Sequence, residues 1–169
     1  GSPRKNAAGE ELKLAITIPS GVPTSAQEAQ LMQAMLAPAG ITLTINVVPL
    51  ADFFSKYITP GNFEMTVFSW IGGVFPISGA TGILTTTGEQ NYGKIGSAAI
   101  DNLFTKANQE LDPVKRCALA NKADKLVWEI GHSMITYQRP NVTATDKKVA
   151  NMGSWGFTSL DYAKIGFTK

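Results

Sequence analysis

Apolar and polar positions alternate over residues 12–18, with Leu12, Leu14, Ile16 and Ile18 at period two, which predicts a strand. The run between Pro19 and Pro23 breaks it. Ser25 with Glu28 three residues on is a capping-box pattern, so a helix is expected from about Ala26, with Ala29, Met32, Met35 and Leu36 as its apolar stripe. Pro38 and Gly40 close that helix. Residues 41–48 are β-branched and alternating and predict a second strand. Residues 51–58 predict a short helix with Phe54 and Ile58 one turn apart, followed by a turn at 59–62. Residues 63–70 predict a third strand, with Phe63, Met65 and Val67 on one side and Phe68 and Trp70 on the other.

Strand and helix in alternation imply parallel neighbours joined by right-handed crossovers, and so an α/β layer architecture. Residues 71–96 are rich in Gly, Thr and Ser, and show little periodicity. A structureless run of that length is uncommon inside a domain and tends to be functional. Ser97 is placed to cap a helix carrying Ile100, Leu103, Phe104, Ala107 and Leu111 on one face. Asp112-Pro113 is a second start signal, for a helix with Cys117, Ala120, Ala123, Val127 and Ile130 on one face and Gly131 at its end. Residues 133–138 and 142–145 read as further strands. The tail from Asn151 carries Trp155, Phe157, Tyr162, Ile165 and Phe167, a Gly-spaced aromatic set of the kind that packs against something.

Composition narrows the function classes. A chain of 169 residues, 44% hydrophobic and 17% charged, suffices for one domain with a core. A net charge of +2 without a basic stripe argues against a nucleic-acid partner. The longest apolar runs are of strand length, too short to span a bilayer. The single cysteine, Cys117, allows no internal disulfide and is read as a buried, inert thiol. The chain opens Gly-Ser, as tag removal leaves it, so the lack of a signal peptide says nothing about compartment.

Candidate chemistry is sparse. His132, the one histidine, follows a helix end, where the dipole favours it. Nothing resembles a zinc-ligand cluster, and acids such as Asp101 and Glu110 fall on predicted solvent faces. The glycines of residues 71–82 follow a strand but match neither GxGxxG nor GxxxxGK[ST]. No cofactor, metal or catalytic group is therefore expected. Gly72 and Gly73, flanked by Trp70 and Phe75, suit main-chain recognition of an extended chain; the alternative is an ordinary loop over a buried Trp70.

The order of motifs resembles the oligopeptide and dipeptide binding proteins of ABC importers, the family 5 extracellular solute-binding proteins, from Leu12 onward. The strand at 12–18 resembles the family's entry strand. Gln30-Leu-Met-Gln-Ala-Met-Leu-Ala-Pro-Ala-Gly-Ile-Thr-Leu-Thr-Ile45 resembles its helix, Gly-Ile, strand unit, and Phe63-Glu-Met-Thr-Val-Phe-Ser-Trp70 its strand ending in Trp. Asn91-Tyr-Gly-Lys-Ile-Gly-Ser-Ala-Ala-Ile-Asp101 is similar to its Asn-Tyr segment, Leu111-Asp-Pro-Val-Lys-Arg116 to its Asp-Pro-x-x-Arg helix start, and Ile135-Thr-Tyr-Gln-Arg139 to the strand that follows. Phe-Ser-Trp-Ile-Gly and Tyr-Gln-Arg-Pro140 suggest an actinobacterial member.

The resemblance implies a periplasmic-binding-protein-like lobe of α/β class, a mixed sheet with helices on both faces. Residues 1–11 would be a tag scar and flexible lead-in, 12–150 the C-terminal lobe, and 151–169 a tail returning toward the N-terminal lobe. The implied function is binding of an extended solute, an oligopeptide or another, for ABC import, with no catalysis. Implied partners are an N-terminal lobe of the same protein and an ABC permease; the implied location is extracellular or periplasmic, as a lipoprotein. Trp70 would wall the cleft, Ile71 and Gly72 would offer main-chain groups, and Gly73, Phe75 and Tyr92 would lie alongside. One departure stands out. Many peptide-binding members carry, three residues after the Trp, an Asp that pairs with the ligand's α-ammonium; here that position is Gly73, and Val74-Phe-Pro76 replaces the acidic-Pro pair that follows. The ligand is thus expected not to be a short peptide anchored there by a free N-terminus. A regulatory envelope protein that keeps the fold without transport is the alternative.

Overall fold

The computed structural model describes residues 2–168, which fall into two compact units: the chain up to Ile71 with Thr87–Lys94, and Gly72–Thr86 with the chain from Ile95 on.

The first unit is built on a parallel sheet. β1 (Lys13–Pro19) lies between β2 (Thr42–Val48) and the short β3 (Met65–Thr66), in the order β2-β1-β3. Register pairs Ile16 with both Ile45 and Met65. α1 (Pro23–Leu36) starts three residues before the expected position. Pro23 opens it at a site where its missing N–H costs nothing, and Ser25, the expected cap, is buried inside the first turn. Ala29, Met32 and Leu36 pack on Ile16, Ile18 and Leu43, as the stripe predicts, but Met35 lies off it and is exposed. Side chains of opposite parity on a strand face opposite ways, so Leu43 and Ile45 meet α1 while Val48 meets a second cluster on the other face.

That second cluster comes from an irregular helix. α2 (Leu50–Asp52) continues as a π turn, Phe53–Ile58, closed by the Thr59 N–H donating to the Phe54 carbonyl at 2.9 Å. The five-residue spacing brings Phe53 and Ile58, rather than the expected Phe54 and Ile58, into the core beside Val48. The third strand is shorter than expected. Glu64 turns its carboxylate to the Ala15 N–H at 2.6 Å, and Phe63 packs against the Val48, Phe53 and Ile58 cluster instead of sharing the face of Met65 and Val67. The lead-in is hydrogen-bonded: Leu12 N–H donates to Arg4 and Arg4 N–H to Gly40, at 2.8 and 2.7 Å. Gly40 has φ +76°, and a Cβ there would strike the main chain of Ser2 and Arg4.

The second unit has a helical core. α3 (Pro76–Leu84) occupies part of the stretch expected to be structureless, because Ile77, Ala80 and Leu84 do hold a helical spacing that the intervening Gly79 and Gly82 dilute. α4 (Ala98–Gln109) begins at Ser97, whose hydroxyl accepts from Ile100 N–H at 3.3 Å. α5 (Pro113–Glu129) begins at Asp112, whose carboxylate accepts from Val114 and Lys115 at 2.8 and 3.2 Å. Ile100, Phe104, Ala123 and Val127 form its core; Leu111, expected on the α4 face, lies past the end of α4 and is exposed, and Cys117, expected on the α5 face, takes no part in that cluster and is exposed. Residues 133–138 and 142–145 form no strand, and among the described residues none pairs with them in a ladder. Beyond them, β4 (Val149–Ala150) and β5 (Gly166–Phe167) pair antiparallel. No described helix is long and apolar enough to cross a membrane.

Candidate functional site

In an open α/β sheet, ligands gather beyond the carboxyl ends of the strands, where successive crossovers leave in opposite directions. Here β1 has β2 on one side and β3 on the other, so that point lies between β1 and β3. The chain leaving β3 carries Phe68 and Trp70 to it. Trp70 stacks on Tyr92 with ring centroids 5.8 Å apart and planes 10° from parallel. Phe68 meets Trp70 edge-on at 5.0 Å, and Phe53 and Phe54 meet Phe68 edge-on at 6.3 and 5.3 Å. Such pairs add about 0.5–1.5 kcal/mol each beyond the area they bury. The stack is therefore rooted in the buried Phe53 and Ile58, yet Trp70 keeps 41% of its surface in solvent. The expectation of a merely buried Trp70 does not hold. Ile71, which follows it, is 95% exposed.

Gly72, Gly73 and Phe75 belong to the second unit, ahead of α3. No hydrogen bond within the described residues engages the main chain of residues 70–73, so its N–H and C=O groups remain for water or a ligand. At Gly72 a Cβ would come within 3.1 Å of the Phe157 ring, a close approach that glycine permits. At Gly73 a Cβ would meet nothing within 4 Å. A side chain could therefore begin at this position without a clash at its first carbon. Phe75 stands exposed just before α3.

The other candidate groups stand apart from these. The His132 N–H donates to Val127 at 3.2 Å past the end of α5, and Nδ1 lies 2.6 Å from the Ser133 hydroxyl. Burial pushes its pKa below the usual value, opposed in part by a hydrogen bond with the Ile83 backbone. Cys117 is exposed on α5. Among the described residues no group of three or more His, Cys, Asp or Glu is placed to hold a metal.

Three aromatic residues of these surfaces were not expected at the site: Phe54 was read only as a helix-core position and Phe157 only as part of the aromatic tail. Phe53 and Phe54 form the base of the stack, and the signal for Phe53 was its five-residue spacing from Ile58, legible only if a π turn is allowed. Phe157 carries no local signal, because its partner Gly72 is remote in the chain.

Residues 1–92 match the family described as bacterial extracellular solute-binding proteins, family 5 Middle. The chain is 41% identical over 143 residues to the oligopeptide-binding protein OppA of Mycobacterium tuberculosis, and again to that of Mycobacterium bovis. That alignment covers 85% of this chain and 24% of OppA, so the chain spans about a quarter of the curated relatives it matches. Among solved structures, a periplasmic EDTA-binding protein, EppA, superposes with a TM-score of 0.67 at 24% identity, over 77% of this chain and 24% of that one. The Escherichia coli murein tripeptide binding protein MppA also gives 0.67, at 22% identity, over 76% and 25%. These likenesses establish a periplasmic-binding-protein-like α/β fold.

Proposed function

The chain belongs to the bacterial extracellular solute-binding proteins, family 5, and from that premise we propose that it is one lobe of a two-lobe receptor that captures an oligopeptide for ABC import. The observation that carries the reading is the stacked Trp70–Tyr92 pair, half open to solvent beyond the carboxyl ends of a parallel sheet. Flat aromatic surface suits the side chains and peptide planes of an extended solute, and the free main chain at Ile71, Gly72 and Gly73 suits its N–H and C=O groups. The 41% identity to OppA supports a peptide as the solute and an actinobacterial origin. The second lobe supplies the rest of the ligand's enclosure, since small-molecule sites bury about 70–90% of their ligand. A permease partner, an extracellular or periplasmic location and a lipid anchor complete the reading. The work is binding and release, not covalent chemistry. Nothing in the fold favours the regulatory alternative.

Gly73 sharpens the proposal. A charge-assisted hydrogen bond is worth about 1.5–3 kcal/mol, so a receptor without an acid here gives up an ammonium anchor. The solute is a longer or blocked peptide whose N-terminus is not held at this position. Native mass spectrometry of the two-lobe protein, gently purified, is expected to show a co-purified peptide. Gly73→Asp, which meets no clash at its first carbon, is expected to favour free-amine over N-acetylated peptides by about tenfold or more. A Gly73→Asp protein with no such preference would sink the Gly73 argument. A native protein that carries no peptide and binds none at millimolar concentration would sink the peptide reading itself.

A further inference from the structure

The tail is built as a strap with a fixed base and a single aromatic tip. Its base is the β4–β5 pair, in which Val149 faces Phe167 and Ala150 faces Gly166. Asn151, in the left-handed region at φ +57°, closes the base further by donating from Nδ2 to the Lys164 carbonyl at 2.7 Å. At the far end, Trp155–Thr158 form a tight turn. The Thr158 N–H and hydroxyl both donate to the Trp155 carbonyl, at 3.1 and 2.8 Å, and Gly156 supplies the positive φ of +59° that the turn needs. That geometry sets Phe157 at the tip.

The Phe157 ring lies against the Gly72 α-carbon, where a Cβ would come within 3.1 and 3.3 Å of Cζ and Cε1. The rest of the ring is open, leaving the residue 63% exposed. The ring approaches Gly72 from the direction a side chain would take, beside a main chain with no internal hydrogen bond.

We infer that Phe157 is a specificity-determining residue: its ring forms the apolar wall of a subsite for the solute side chain that lies next to the Gly72 main chain. The inference rests on the proposed capture of a peptide, and it adds the residue that reads one of the peptide's side chains. Gly72 has two roles in it, a main chain free to bond the solute and a missing Cβ that lets the ring come close. The subsite takes an aromatic or long aliphatic side chain, since the wall offers ring surface and no charge.

The test uses the two-lobe protein and N-acetylated hexapeptides of alanine with Leu, Phe or Trp placed singly at each position in turn, with affinities measured by calorimetry. The wild type is expected to prefer an apolar side chain over alanine at one position by about tenfold. Phe157→Ala is expected to reduce that preference to within about twofold while preferences at the other positions persist, and Phe157→Leu to retain part of it. A wild-type preference left intact in Phe157→Ala overturns the inference and leaves the peptide reading standing. An equal loss for every peptide also overturns it, because that is what a purely structural role produces. Wild type that binds none of the peptides overturns the peptide reading and this inference with it.

Discussion

Residues 12–18 and residues 133–138 look alike as sequence and end differently. Both are short apolar-rich runs with an isoleucine, and both read as strands, although only the first alternates strictly. The first becomes β1, bonded on both edges, with Ile16 at 0% exposure. The second joins no ladder among the described residues, with Ile135 at 68%. The difference lies in the neighbours. β1 emerges where β2 and β3 offer complementary edges, and α1 covers its face. Residues 133–138 belong to a unit whose core is three helices, which satisfy their own backbone, and its described strand pair, β4–β5, takes in other residues. Alternation states which face a strand would bury; it does not supply a partner.

The sharpest way to break this comparison is to truncate matching residues. Ile16→Ala is expected to cost about 2–5 kcal/mol by cavity formation, whereas Ile135→Ala should stay within about 0.5 kcal/mol. Urea unfolding of this chain followed by tryptophan fluorescence measures both; a loss above about 2 kcal/mol at Ile135 would show that the stretch is packed after all. A smaller effect concerns Asp112, whose carboxylate caps α5 in the unit without a large sheet. Asp112→Ala is expected to cost about 1 kcal/mol, and Asp112→Asn, which keeps an oxygen acceptor, a few tenths. Equal losses in the two would mean that charge matters there more than the capping bond.

The smallest expected effect is at His132, beside the start of the uncovered stretch. Its folded pKa is lowered from 6.5, so the unfolded chain binds the extra proton first as pH falls. Its contribution is therefore complete above about pH 6.5 and is lost as pH drops from there through the lowered folded value. The urea midpoint of wild type should fall more between pH 7.5 and 5 than that of His132→Gln. Parallel profiles would mean that the imidazole is not desolvated in solution.

Local rules accounted for much of the molecule. The first two strands, the helix following each of them, and the caps at Ser97 and Asp112 were legible, since period, capping chemistry and Pro or Gly placement act within a few residues. Trp70 was legible as a cleft residue, although the strand expected to run to it ends at Thr66, and the family resemblance pointed to Tyr92. The stack between them was not, since it depends on a turn bringing the Thr87–Lys94 segment back to the sheet. Helix α3 was missed because two glycines thin its apolar stripe, and packing against α4 supplies what propensity lacks.

By itself, then, the sequence determined the α/β class, the order of the first elements and the Trp-Ile-Gly-Gly run that follows the third strand. It also set what that run lacks, an acid at position 73, which is a matter of composition and needs no coordinates. Tertiary structure alone decided which alternating segments became strands, which of Phe53 and Phe54 entered the core, and that Phe157 would rest on Gly72. The physical reason is common to all three. Each outcome depends on a partner distant along the chain or on a helix wound one residue wider per turn, and neither leaves a periodic trace in the residues nearby.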